Sequence, residues 1–234
     1  MTVSLLDRSQ VGDFAPLAER AVSVDAAALI RFRRGPATMA GYVRLPYDVL
    51  AGRTLALPAA GESPYDVTVA AADFLRWAAD AAGEAAESSA GKPADTSAGE
   101  AAGNSVPVPV PVPVPVAKDA HWLSALPPRG GWQRVELVPE AVIRDLIRSG
   151  AALAPTAGSR RGQEALLSSV VLTATAPGQR VEVPLGPLSA LTRMGFLPRD
   201  AQAAVDVAPG WIRVATSLGS TFVSTGNALG MLSL

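Results

Sequence analysis

The fold is decided by the stretch Ala28-Leu-Ile-Arg-Phe-Arg-Arg-Gly-Pro-Ala-Thr-Met-Ala-Gly-Tyr-Val-Arg-Leu-Pro46. Apolar and charged residues alternate in its first half, which places Ile30 and Phe32 on one face and arginines on the other. The Gly-Pro pair in the middle is typical of a turn. Pro46 ends the second run because proline cannot donate a hydrogen bond to a sheet ladder. The stretch therefore predicts an antiparallel hairpin.

The same signals recur towards the C-terminus. Pro177-Gly178 and Pro209-Gly210 each separate two runs of strand character, the first beginning near Ala165, and Thr221-Phe-Val-Ser predicts a final strand. A polar loop is expected at 155–162. Apolar residues at helical spacing predict short helices at 11–22, 73–80, 139–150 and 188–194. We therefore expect an α+β fold with mostly antiparallel β-hairpins and three to five short helices.

The segment 79–117 divides the chain. It begins with an Ala/Gly/Ser/Glu run and ends in an alternating Val/Pro tract from Val106 to Val116. Without aromatic residues, it cannot bury enough apolar surface to offset the entropy of ordering. We expect a disordered linker here, between an N-terminal α/β lobe (1–78) and a C-terminal α+β lobe (118–234). The Val/Pro tract predicts a polyproline II spacer, and a ligand for an aromatic-lined groove is the alternative.

The two lobes carry a similar local pattern. In each, a strand closed by proline is followed four residues later by leucine, at 41–50 and at 179–188. The identities are few, so a chance match is one explanation. The other is a duplication that produced two pseudo-symmetric α/β modules sharing one body. A shared body would also supply the core that a lobe of 78 residues cannot easily build alone.

Several kinds of chemistry are excluded by composition. The chain has no cysteine and one histidine, His121, so disulfides, thiolate nucleophiles, iron–sulfur clusters and multi-histidine metal sites cannot form within it. Neither a Gly-x-Ser-x-Gly motif nor a phosphate-binding glycine motif is present. We therefore predict no catalytic residue, no metal site and no cofactor. Whether the protein is an enzyme stays open, with a non-enzyme favoured.

Charge and hydropathy bear on partners and location. The formal net charge is −1, far from the basic excess of a general nucleic-acid binder. The mean hydropathy of +0.25 is compatible with a packed core, yet no apolar run is long enough to span a bilayer. The first residues do not resemble a signal peptide. We expect a cytoplasmic protein with no membrane association, and the excess of arginine over lysine suggests a bacterial origin.

Three functions remain open. The first is a non-enzymatic protein acting through protein–protein interaction, with a partner protein or by self-association as a homodimer. The second is nucleic-acid association through two arginine groups, although arginines on alternate positions are also typical of a solvated strand. The third is a small-molecule enzyme without metal or cysteine, which requires a deep pocket lined by arginine and a carboxylate. The candidate contacts to nucleic acid or another anion are Arg31, Arg33, Arg34, Arg160 and Arg161.

Overall fold

A computed structural model of the chain describes residues 8–57, 66–90 and 117–225. Residues 91–116, which include the Val/Pro tract, lie outside the described residues. The described chain forms these helices and strands: α1 (Arg8–Val24), β1 (Leu29–Arg34), β2 (Thr38–Arg44), β3 (Val49–Ala56), β4 (Asp66–Ala70), α2 (Ala71–Ala90), β5 (Gln133–Pro139), α3 (Glu140–Ala157), α4 (Arg160–Ser168), β6 (Val170–Ala176), β7 (Gln179–Pro184), α5 (Leu185–Arg193), β8 (Gln202–Ala208), β9 (Trp211–Ala215) and β10 (Ser220–Ser224).

Eight of these strands form one antiparallel sheet, in the order β4-β1-β2-β3-β10-β9-β8-β5. The predicted first hairpin is β1–β2, with Arg31 opposite Tyr42. The two halves of the chain meet where β3 pairs with β10, with Leu50 opposite Phe222. β6 and β7 form a separate two-stranded sheet. The α+β class with mostly antiparallel hairpins is therefore confirmed, and the described helices number five.

The two halves are pseudo-symmetric about the β3–β10 junction. In the first half, α1 leads into β1, β2 and β3, and β4 leads into α2. In the second half, α5 leads into β8, β9 and β10, and β5 leads into α3, in the mirrored order of the sheet. The pseudo-symmetry of the two modules is thus present, but the segments 41–50 and 179–188 are not its equivalent parts. β2 is internal to the large sheet, whereas β7 belongs to the small sheet and continues into α5.

Some helices differ from the expectation. α2 continues to Ala90, so residues 79–90 of the expected linker are helical, because alanine has the highest helix propensity of any residue. α3 and α4 occupy most of the expected polar loop and the start of the expected strand at 165. α4 begins where the side chain of Ser159 accepts a hydrogen bond from the Gly162 N–H at 3.1 Å. Among the described helices, none has both the length and the apolar character needed to cross a bilayer.

One hydrophobic core joins the helices to the large sheet. The ring of Phe14 of α1 packs edge-on against the ring of Phe32 of β1, with 5.2 Å between the ring centres. The rings of Phe32 and Phe74 of α2 have their centres 5.1 Å apart. The same core continues into the second half through residues that are fully buried, among them Leu188 and Leu191 of α5. Because strand residues alternate between faces, the other face of the sheet is left for a second layer.

A strap, residues 117–132, covers that outer face. Its Trp122 is buried in a second cluster with Ala40, Tyr42, Leu50 and Phe222. The strap also pairs with the edge strand β4, since the Lys118 N–H donates to the Thr68 carbonyl at 2.7 Å. The Asp119 carboxylate accepts from the Thr68 N–H at 2.6 Å. Both backbone groups of this edge residue are therefore satisfied.

An ion-pair row crosses the outer face at the opposite end of the sheet. Asp206 of β8 is 2% exposed and accepts hydrogen bonds from Arg134 of β5 at 3.0 Å and from Arg213 of β9 at 2.8 Å. The Arg213 guanidinium lies 4.4 Å from the centre of the Trp132 ring in the strap. A buried carboxylate needs such partners, because an isolated buried charge is very costly.

Candidate protein-binding groove

The hairpin arginines hold the strap in place. Arg31 forms a bidentate ion pair with Asp66 of β4, at 2.7 Å and 3.0 Å, and lies 5.9 Å from the centre of the Trp122 ring. The hydrogen bond to Asp66 raises the pKa of Arg31 above its ordinary value, although partial burial acts to lower it. Nearby, Arg33 donates to the Pro127 carbonyl of the strap at 2.7 Å.

Arg34 also contacts the strap, through its backbone. It is 9% exposed, and its carbonyl accepts a hydrogen bond from Arg129 at 3.0 Å. The three hairpin arginines are therefore involved in contacts within the chain. Their predicted contact with a nucleic acid stays a prediction.

Arg160 and Arg161 lie elsewhere, at the exposed start of α4. Arg160 lines a polar cavity of about 750 Å³ together with Arg44, Asp48 and His121. Arg31, Arg33 and Arg34 do not line this polar cavity, and the cavity is lined by carboxylates as well as by arginines.

The polar cavity contains the residue types that a small-molecule enzyme would need. Its Arg44–Asp48 ion pair is 2.8 Å long, but the two side chains are 51% and 85% exposed. Such a solvated pair contributes about 0–1 kcal/mol and does not hold a carboxyl in a desolvated state. Across the cavity, the Tyr47 hydroxyl donates to the Gln163 side chain at 3.2 Å. Within the described residues, no group of three or more His, Cys, Asp or Glu could hold a metal ion.

A second, more apolar groove of about 790 Å³ lies on the C-terminal half. One wall is β7, through Gln179–Glu182 and Pro184, and the other is the β8–β9 turn with Trp211 and Ile212. Val223–Thr225 lie along it at the end of β10, and Val170 at the start of β6 is 50% exposed. An exposed apolar concavity of this kind is typical of a site that binds another molecule.

The groove is continuous with the polar cavity. A cavity of about 410 Å³ shares Trp211 and Ser224 with the groove. The same cavity shares Arg44, Asp48 and Leu123 with the polar cavity. Leu123, a strap residue, is 84% exposed there. The three cavities together form a path along the strap that is apolar at one end and charged at the other.

The sequence did not indicate the groove. Trp211 was visible as the residue after the Pro209-Gly210 turn, but its position predicted only a hairpin strand. The groove exists because the tertiary fold brings β7 next to the β8–β9 turn. Periodicity describes local structure and carries no information on that approach.

The structure is that of an α+β protein of two pseudo-repeated modules with an open apolar groove. Two family models match the chain, one for each half. Residues 1–98 match the domain of unknown function DUF8010, and residues 127–228 match the domain of unknown function DUF8185. No curated protein matches the sequence.

Solved structures with the same fold are DNA polymerase sliding clamps. The chain is similar to the sliding clamp from Bacillus subtilis with a TM-score of 0.54 at 12% identity, covering 94% of this chain and 63% of the clamp. The DNA polymerase III subunit beta from Pseudomonas aeruginosa gives 0.51 at 15% identity, with coverage of 94% and 63%. The beta subunit from DNA polymerase of Streptococcus pyogenes gives 0.50 at 12% identity, with the same coverage.

At these identities the likeness concerns the fold alone. The chain spans 63% of the length of these solved structures. The pseudo-repeated α/β arrangement of the chain is therefore that of sliding clamp domains.

Proposed function

We propose that this protein is a non-enzymatic protein that acts by binding another protein at the groove between β7 and the β8–β9 turn. The observation that carries the proposal is the open apolar groove beside the partly exposed Trp211. Tryptophan is enriched among the residues that dominate binding energy at protein interfaces. A partner protein and a second copy of the chain are both compatible with this proposal, as are the bacterial origin and cytoplasmic location expected from the sequence.

Site-specific photo-crosslinking in cells tests the proposal. A photo-reactive amino acid at Val170, which is 50% exposed and lines the groove, should capture a protein. The matched control is the same amino acid at Val142 of α3, which is 43% exposed and does not line the groove. Capture at position 170 should fall when Trp211→Ala is added, because the groove loses its largest apolar wall. Equal capture at both positions, or capture that ignores Trp211→Ala, would contradict the proposal.

Nucleic-acid association is the second candidate. It is favoured by Arg160 and Arg161, which are exposed and form no ion pair within the described residues, and by the polymerase clamps that share the fold. The formal net charge of −1 favours the first candidate instead. A gel shift at low salt that Arg160→Ala weakens, and that Arg148→Ala on α3 does not, would support nucleic-acid binding. No shift at low salt would end this candidate.

The division into lobes remains a proposal as well. We propose that residues 91–116 connect two modules that cannot fold apart, because the modules share one sheet and one core. Expression of 1–90 and 117–234 as separate chains tests this. Each alone should lack a cooperative unfolding transition, and mixing the two should restore one.

A further inference from the structure

The strand β7 lines the groove with its edge. Arg180 and Glu182 have exposed side chains, whereas Val181 between them is 8% exposed and belongs to the core. All three line the groove, although their side chains point to opposite faces of the small sheet. A strand presents consecutive residues to one cavity along its edge or at its end, and Arg180–Glu182 lie in the middle of β7. The groove is therefore bordered by backbone as well as by side chains.

That edge has no partner strand among the described residues. β7 pairs with β6 on one side, and the Leu185 N–H donates to the Ser169 carbonyl at 3.0 Å at the end of this pair. In an antiparallel pair, residues alternate between bonding to the partner strand and facing away from it. Because Leu185 bonds to the β6 side, every second residue before it does so too, namely Val183 and Val181. The N–H and C=O groups of Arg180 and Glu182 then face the groove.

The other walls favour an uncharged ligand. Apart from β7, the groove is lined by Val207, Ile212 and Val223 together with the Trp211 ring. Its charged side chains belong to Arg180 and Glu182, whose ion pair is 3.7 Å long and leaves no net charge. A charged peptide would lose hydration against these walls and gain no ion pair.

We propose that an extended, uncharged segment of a partner protein adds as a strand to the edge of β7 and packs apolar side chains against Trp211. In this mode of recognition the backbone supplies affinity and the pockets select side chains. The proposal rests on the proposed protein-binding function and states how the groove would perform it.

Two variants at one position separate the backbone from the side chain. Glu182→Ala removes the carboxylate and keeps the N–H, whereas Glu182→Pro removes both. Neither should break the β6–β7 ladder, because the Glu182 N–H faces away from β6. The probe is a peptide selected from a phage-displayed library of random linear peptides. The full chain is immobilised for the selection, and bound phage are eluted by adding the same protein in free form. Its affinity is then measured for each variant.

The selected peptide should be uncharged and rich in apolar residues. Its binding should weaken about tenfold in Glu182→Pro and change little in Glu182→Ala, because only the proline variant leaves a peptide carbonyl unpaired. Trp211→Ala should weaken it in both backgrounds. If Trp211→Ala weakens binding but the proline and alanine variants bind alike, the groove binds proteins but strand addition is wrong. If Trp211→Ala has no effect, the groove itself is wrong.

A second measurement does not depend on the folding of the proline variant. The selected peptide is made in two forms, each methylated on every second backbone nitrogen, so that one form blocks the N–H groups facing β7 and the other blocks those facing away. The first form should not bind the unaltered protein, and the second should bind it as before. Equal binding of both methylated peptides would overturn strand addition. Selected sequences that match residues 226–234 would overturn the choice of a foreign partner and identify that segment, of this chain or of a second copy, as the occupant.

Discussion

The shared sheet predicts that the two halves unfold together. Leu188 of α5 is 0% exposed in the common core. Leu188→Ala should lower the free energy of unfolding by about 3 kcal/mol, through lost burial and the cavity it leaves. With a urea slope of about 3 kcal/mol/M, the midpoint should fall by about 1 M. The matched control is Leu123→Ala at a leucine that is 84% exposed, and its midpoint should barely move.

Hydrogen exchange locates the effect along the chain. If the sheet is one cooperative unit, the slowest amides of β1 and β2 should exchange about a hundredfold faster in Leu188→Ala, as should those of β8 and β9. These strands lie on opposite sides of the β3–β10 junction. The reasoning is refuted if exchange accelerates in β8 and β9 while β1 and β2 keep their protection. That result would mean two modules that unfold separately despite a continuous sheet.

Further predictions concern the outer face and the segment between the halves. Asp206→Ala should destabilise the protein by about 2–4 kcal/mol, since it leaves the partly buried Arg213 without its partner, and urea unfolding at neutral pH measures this. Gly52→Val should lower the free energy of unfolding by about 1–3 kcal/mol, because a Cβ atom would lie 2.8 Å from the Tyr42 ring. Thermal unfolding measures this, and an unchanged midpoint would refute that contact. Replacement of 106–116 by a Gly/Ser segment of equal length should leave the unfolding midpoint unchanged, as expected for a spacer, and a large loss of stability would contradict it.

Local patterns were sufficient for most elements of the fold. Alternation around Phe32 and the three Gly-Pro or Pro-Gly turns predicted hairpins that the structure contains. The two pseudo-symmetric modules were also predicted, but from the wrong segments. Prolines close the strands before Tyr47 and Leu185 for different reasons: Pro46 lies in a tight turn, and Pro184 precedes a helix. A motif shared by a turn and a helix start does not identify equivalent strands.

Long-range contacts account for what the sequence did not indicate. Arginine alternation predicted either a solvated face or a nucleic-acid contact. In the structure, the strap covers that face, and Arg33 reaches a carbonyl 94 residues further along the chain. The groove likewise depends on β7 meeting the β8–β9 turn. Neither approach leaves a periodic signal, because each residue involved satisfies the local rules of its own strand.

The pairing of the strap with β4 has a consequence for behaviour in concentrated solution. An uncovered edge strand offers a row of unpaired N–H and C=O groups on which further chains can assemble without limit. Here Lys118 and Asp119 occupy the hydrogen-bonding positions of Thr68, and a β-bulge between Arg134 and Glu136 disrupts the opposite edge. Loss of the Asp119 contact would therefore leave the Thr68 N–H without its acceptor and open this edge to pairing with another copy of the chain.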